Sequence, residues 1–112
     1  MNIILPGDKD YESRPSVQRK SLRINLNENI YGTFVEIGAG QEVARNFYRV
    51  GAASGTIAKS MSAYDKSFSD SIYGKEDNGR YVTQNRLDKM LEHEMDLLEK
   101  RISRDKNPDK FF

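Results

Sequence analysis

Apolar and polar residues alternate along Leu22-Arg23-Ile24-Asn25-Leu26-Asn27. That period of two predicts a half-buried strand, closed by the turn chemistry of Asn27-Glu28-Asn29. The next run, Ile30 to Ile37, is rich in β-branched and aromatic residues and ends at a glycine, which places a buried strand over Thr33–Ile37. From Gln41 to Val50 the rhythm changes: Val43, Ala44, Phe47 and Val50 recur at helical spacing, with Arg45, Asn46 and Arg49 on the other side. Gly51 stands where a helix C-cap glycine belongs. Between Gly55 and Ile72 two periods compete. Ile57, Met61, Tyr64, Phe68 and Ile72 keep a helical rhythm, whereas Ile57, Lys59, Met61 and Ala63 alternate with Ala58, Ser60 and Ser62. The density of Ser, Thr and Tyr favours a strand from Thr56 to Tyr64 followed by an irregular segment. Tyr73 to Arg80 then reads as a polar loop with two glycines. Last comes a helix with Thr83 as N-cap and an apolar stripe of Leu87, Leu91, Met95, Leu98 and Ile102, stopped by Asn107-Pro108.

These elements describe an α/β or α+β segment: a short sheet, a strand–glycine loop–helix unit and a C-terminal amphipathic helix. Residues 1–21, with Pro6, Gly7, Pro15 and few apolar side chains, are expected to form a mobile arm. Residues 22–105 form the α/β segment, and 106–112 a tail. The chain has 112 residues, one ordinary domain, with 37% apolar and 31% charged residues. That is thin for a self-sufficient core, and with Phe111-Phe112 at the end it suggests an incomplete unit whose continuation lies beyond Phe112.

Eighteen basic residues nearly cancel seventeen acidic ones. The basic residues from Arg14 to Arg23 lie between Glu12 and Glu28 with no interleaved aromatic, so neither nucleic acid nor a membrane surface is an expected partner. The expected partner is the remainder of a longer chain, or a second copy meeting the Leu87–Ile102 face. Without cysteine, disulfides, thiolate catalysis and thiolate metal sites are excluded. The single histidine, His93, builds no histidine metal site. Met1 to Asp8 holds an apolar run of three residues and no basic segment before it, so the cytoplasm is the expected compartment.

The chemistry concentrates in three places. A buried strand running into Gly38-Ala39-Gly40-Gln41 and a helix brings backbone N–H groups and a close backbone approach to one edge of a sheet. Glu36, Gly38, Gly40 and Gln41 are therefore the candidate ligand-binding residues, for a nucleotide or another phosphate-bearing ligand. Glu42, in the first helical turn, competes with a phosphate for the same N–H groups, and no Walker lysine follows the glycines. Asp65 and Asp70, five apart with hydroxyls between them, are the second candidate, able to position a phosphate or a magnesium ion if the loop brings them together. Glu94 is the third. It falls on the apolar side of its helix, where a carboxylate becomes an acid or base, or more often finds a basic partner such as Arg45 or Arg80. His93 points away, towards solvent. No cofactor is specified by these residues. The competing reading is a non-catalytic assembly or protein-interaction module.

Two resemblances sharpen this. Val35-Glu36-Ile37-Gly38-Ala39-Gly40 resembles the first motif of methyltransferases, in which an acidic residue and spaced glycines hold S-adenosylmethionine; at position 42, where that motif has a further glycine, Glu42 stands. Across Leu22 to Ile102 the chain resembles a family of long uncharacterised bacterial proteins often labelled TonB-dependent receptor or nicotinate-nucleotide adenylyltransferase. The residues that carry the likeness are Asn25 to Arg45, Ser62-Ala63-Tyr64-Asp65, Phe68 to Gly74 and Leu91-Glu92-His93-Glu94. The resemblance implies a bacterial origin and further chain after the paired phenylalanines. It assigns no mechanism.

Overall fold

The computed structural model describes residues 16–38 and 40–112. Helix α1 (Val17–Asn25) opens it. The strand expected at Leu22–Asn27 is thus a helix through Asn25, and the reason is local and tertiary together. Ser16 caps the amino end by accepting from the Arg19 N–H at 3.2 Å. At the other end Asn25 is buried and donates from Nδ2 to the Phe47 and Gly51 carbonyls, both at 2.8 Å. Leu22 and Leu26, one turn apart, satisfy helix and strand periods alike, so alternation alone misled. Of the expected arm, residues 1–15 lie outside the described residues, and the segment from Val17 is helical.

Strand β1 (Gly32–Ile37), helix α2 (Glu42–Val50) and strand β2 (Ile57–Ala63) form a parallel crossover unit. Gly51 ends α2 at φ 83°, a backbone angle that favours glycine. β2 lies parallel to β1, with Val35 opposite Met61 and Ile37 opposite Ala63. Helix α3 (Lys66–Tyr73) occupies the segment expected to be irregular, started by the Asp65 side chain accepting from the Phe68 N–H at 2.9 Å. A polar loop leads to α4 (Gln84–Arg101), where Thr83 caps the helix as its position predicts.

Helices cover both faces of the sheet. Alternate strand residues point to opposite sides. On one side Phe34 meets Phe47 of α2, ring centroids 4.7 Å apart. On the other, Val35, Ile37, Met61 and Ala63 pack with Ile72, Tyr73 and Met90 from α3 and α4. The free edge of β1 is also used. Gly32 donates its N–H to Thr56 on the β2 side, whereas Tyr31 donates to the Phe111 carbonyl at 2.9 Å, and Ile30 and Phe111 form a parallel bridge. The chain therefore crosses from β2, over the α4 face, to the opposite side of β1. Among the described residues no helix is long and apolar enough to cross a membrane.

The buried stripe of α4 is Arg86, Met90, Glu94 and Leu98. Of the stripe read from the sequence, Leu98 lies on this buried row, whereas Leu87, Leu91 and Met95 fall one residue over, with Leu91 and Met95 47% and 36% exposed.

Candidate functional site

In open parallel sheets ligands bind outside the carboxyl ends of the strands. Gly38 stands at that end of β1 with φ +85°, an angle costly for any residue with a Cβ. A Cβ at Gly38 or Gly40 would meet nothing within 4 Å, so both glycines face open space rather than packed neighbours. Ser62, near the end of β2, donates its hydroxyl to the Gly38 carbonyl and ties the turn to the sheet. Ala39 lies outside the described residues.

The candidate anion cradle at the amino end of α2 is filled by the protein itself. Glu36 Oε1 accepts from the Val43 N–H at 3.2 Å. Its other oxygen, Oε2, is buried with no hydrogen-bond partner. Glu42 adds a second carboxylate in the first turn, and Gln41, the N-cap, gives no side-chain cap bond. Two negative groups at the positive end of a nine-residue helix disfavour a phosphate there and favour donors or positive charge. Gln41 itself is exposed.

On the opposite face of the sheet a cavity of about 280 Å³ opens beside Gly38. Its floor is Ile37, Ala63 and Met90, and its walls carry Tyr64, Lys66, Tyr81, Val82 and Arg86, with Lys66 Nζ 5.1 Å from the Tyr81 ring centroid. The Arg86 side chain, 1% exposed, organises the wall that loop 74–82 supplies. One guanidinium nitrogen donates to the Gly74 carbonyl and, at 3.1 Å, to Glu76; the other donates to Ser69 Oγ at 2.6 Å and Asp70 at 3.3 Å. The group also lies 4.9 Å from the Tyr81 ring centroid and 5.4 Å from that of Tyr73. Lys89 joins Glu76 at 2.8 Å, and this bond, foremost among several, holds the Glu76 carboxyl below its ordinary range. Tyr81 donates to Asp70 at 2.6 Å, the main cause of an upward shift in its hydroxyl.

The structure gives the three candidate carboxylates different work. Asp65 is exposed at the carboxyl end of β2 and caps α3. Asp70 is engaged by Tyr81 and Arg86, so the two do not share a ligand. Among the described residues no group of three or more His, Asp or Glu is placed to hold a metal ion. Glu94 is buried, 4% exposed, and its partner is Lys59, at 2.7 Å, with Tyr73 donating to the other oxygen at 3.2 Å. Arg45 and Arg80, the partners expected for it, are exposed. Burial, reinforced by Glu94, pushes the Tyr73 hydroxyl up to about 12. His93 is half-buried rather than solvated, its ring edge-on to Tyr73 at 5.3 Å.

Arg86, Tyr81, Glu76 and Ser69 were not legible as site residues. One signal for Arg86 does exist: it stands four residues before Met90, on a row continued by Glu94 and Leu98. Compared with models of known families, with curated proteins and with solved structures, the chain matches none.

Proposed function

We propose that this protein binds a phosphate-free nucleoside of the S-adenosylmethionine type across the carboxyl ends of β1 and β2. The observation that carries the proposal is the Glu36 oxygen buried without a donor beside the open Gly38 turn, at the carboxyl end of a parallel strand. The charge at the site selects among nucleosides. Glu36 and Glu42 occupy the helix end that would hold phosphate, and an amino group or sulfonium is the complementary chemistry. Asp65 stands at the end of β2, where dinucleotide folds place the acid that meets ribose hydroxyls. The likeness of Val35–Gly40 to a methyltransferase motif points the same way. Calorimetric titration with S-adenosylmethionine, S-adenosylhomocysteine, adenosine and ATP tests it. Binding of the first three, each tighter than ATP, is the expected result; no binding of any, or preference for ATP, overturns the reading.

A second reading, an assembly module, is favoured by Leu91 and Met95, exposed beside half-buried Leu87 on α4. It predicts a mass by light scattering that rises with concentration and falls to that of a monomer in Leu91→Gln/Met95→Gln. A concentration-independent monomer excludes it.

A further inference from the structure

The 280 Å³ cavity lies on the α4 side of the sheet, away from Glu36, and nothing in the proposed nucleoside site so far explains it. We infer that it is the aromatic-base subsite of the bound nucleoside, with Tyr64 and Val82 as the residues that grip the base.

The cavity is continuous with the glycine turn, since Gly38 lines it. A ribose over Gly38 places its two substituents on opposite faces of the sheet: one towards Glu36 and Glu42, the other into the cavity. The chemistry of the two sides differs accordingly. The α2 side offers carboxylates. The cavity offers an apolar floor of Ile37, Ala63 and Met90; on its walls Ser69 Oγ accepts from Arg86 and the Tyr81 hydroxyl donates to Asp70, while Arg86 Nε is buried without an acceptor. A moiety held there meets apolar contact and stacking beside one unsatisfied donor, which suits a planar heteroaromatic ring that carries acceptor nitrogens.

Its mouth supports the same occupant. Tyr64 is 76% exposed and Val82 87%, two large side chains left in water though both line this cavity. Neither contributes to the core, so neither position is explained by packing of the protein alone. Loop 74–82, which carries Tyr81 and Val82, is fastened by Arg86 and Glu76 and presents that wall in place before any ligand arrives.

This inference rests on the proposed nucleoside site, and the test separates the two. Adenosine is titrated by calorimetry into the unaltered protein, Tyr64→Ala, Val82→Asp and, as a control at an exposed residue of α4, Leu91→Ala. Tyr64→Ala and Val82→Asp are each expected to weaken binding about tenfold or more, and Leu91→Ala by less than about twofold. Because both altered side chains are exposed, their melting curves should match the parent. The Val82 methyl resonances give a readout without substitution: a stacked base should shift them upfield by its ring current. If the unaltered protein binds no nucleoside, the proposed function fails and the subsite with it. If it binds adenosine while both variants bind within about twofold of it and the Val82 methyls stay put, the base lies elsewhere and this inference alone is overturned.

Discussion

Replacing Arg86 by methionine probes the piece of chemistry on which the site wall depends. The guanidinium is 1% exposed and holds Gly74, Ser69, Glu76 and Asp70 together. Methionine fills much of the same space along the stem, so the loss is electrostatic rather than one of volume. Removing one partner from a buried charged cluster costs about 3–5 kcal/mol. Two of the partners keep other bonds: Glu76 retains Lys89 and Asn85, each at 2.8 Å, and Asp70 retains Tyr81 at 2.6 Å. The Gly74 carbonyl and Ser69 hydroxyl lose the donor the structure gives them. The low end of the range applies, about 3 kcal/mol. For a domain of this length that is a fall of roughly 12 °C in Tm. Urea unfolding followed by circular dichroism measures the loss, and hydrogen exchange of the Gly79 and Arg80 amides reports whether loop 74–82 loosens first. Arg86→Lys should recover little, because one ammonium cannot reach both sides of the cluster. A loss below about 1 kcal/mol with unchanged exchange in the loop would refute the reasoning, since the wall would then stand without its cation.

Further outcomes follow from single features. Gly38→Ala should destabilise by about 1–2 kcal/mol, because φ +85° is retained only against the Cβ, while Gly40→Ala should stay within about 0.5 kcal/mol; denaturant midpoints compare them. Asn25→Ala should cost about 2 kcal/mol by stranding the Phe47 and Gly51 carbonyls, and Asn25→Asp more, since a carboxylate would face both; equal losses would argue against the assigned bonds. The Tyr73 hydroxyl is pushed up from 10.0 to about 12, so the folded state holds its proton more tightly than the unfolded chain. Stability is therefore intact below pH 10.0 and declines as pH rises towards about 12. A tyrosinate titration should show a late step that Tyr73→Phe removes, and an unaltered curve would contradict the assignment. Glu76 has the opposite sign: its stabilisation is present above pH 4.5 and lost as pH falls through its lowered value, and Glu76→Gln should flatten that acid limb of the urea midpoint.

Four elements were legible because their residue types follow a simple pattern. β1 is a continuous β-branched and aromatic run, α2 has an apolar face closed by Gly51, the residue types of β2 alternate, and α4 begins at a threonine cap. The two failures share a cause: the buried row includes polar side chains. In α1 the buried residues are Ser21 and Asn25, and in α3 they are Ser69 and Tyr73. Both pairs sit at helical spacing, yet a reading that looks for leucine passes over them. The same substitution of polar for apolar hides the true inner row of α4, where Arg86 and Glu94 alternate with Met90 and Leu98. Their partners, Glu76 and Lys59, lie 10 and 35 residues away in sequence. No local pattern pairs them. The glycine turn was legible as a place because strand, glycine and helix are contiguous. The occupation of its helix end by Glu36 was not, since it depends on how the turn brings the carboxylate to Val43.

The central claim, that a nucleoside lies over the carboxyl ends of the two parallel strands, is tested most directly by backbone amide chemical-shift mapping during titration with S-adenosylhomocysteine. The account predicts saturable shifts at Gly38, Gly40, Val43, Ser62, Asp65 and Val82, with the outer face of α4 at Leu91 and Met95 unmoved. Shifts confined to that outer face, or none at the strand ends at saturating ligand, would contradict it.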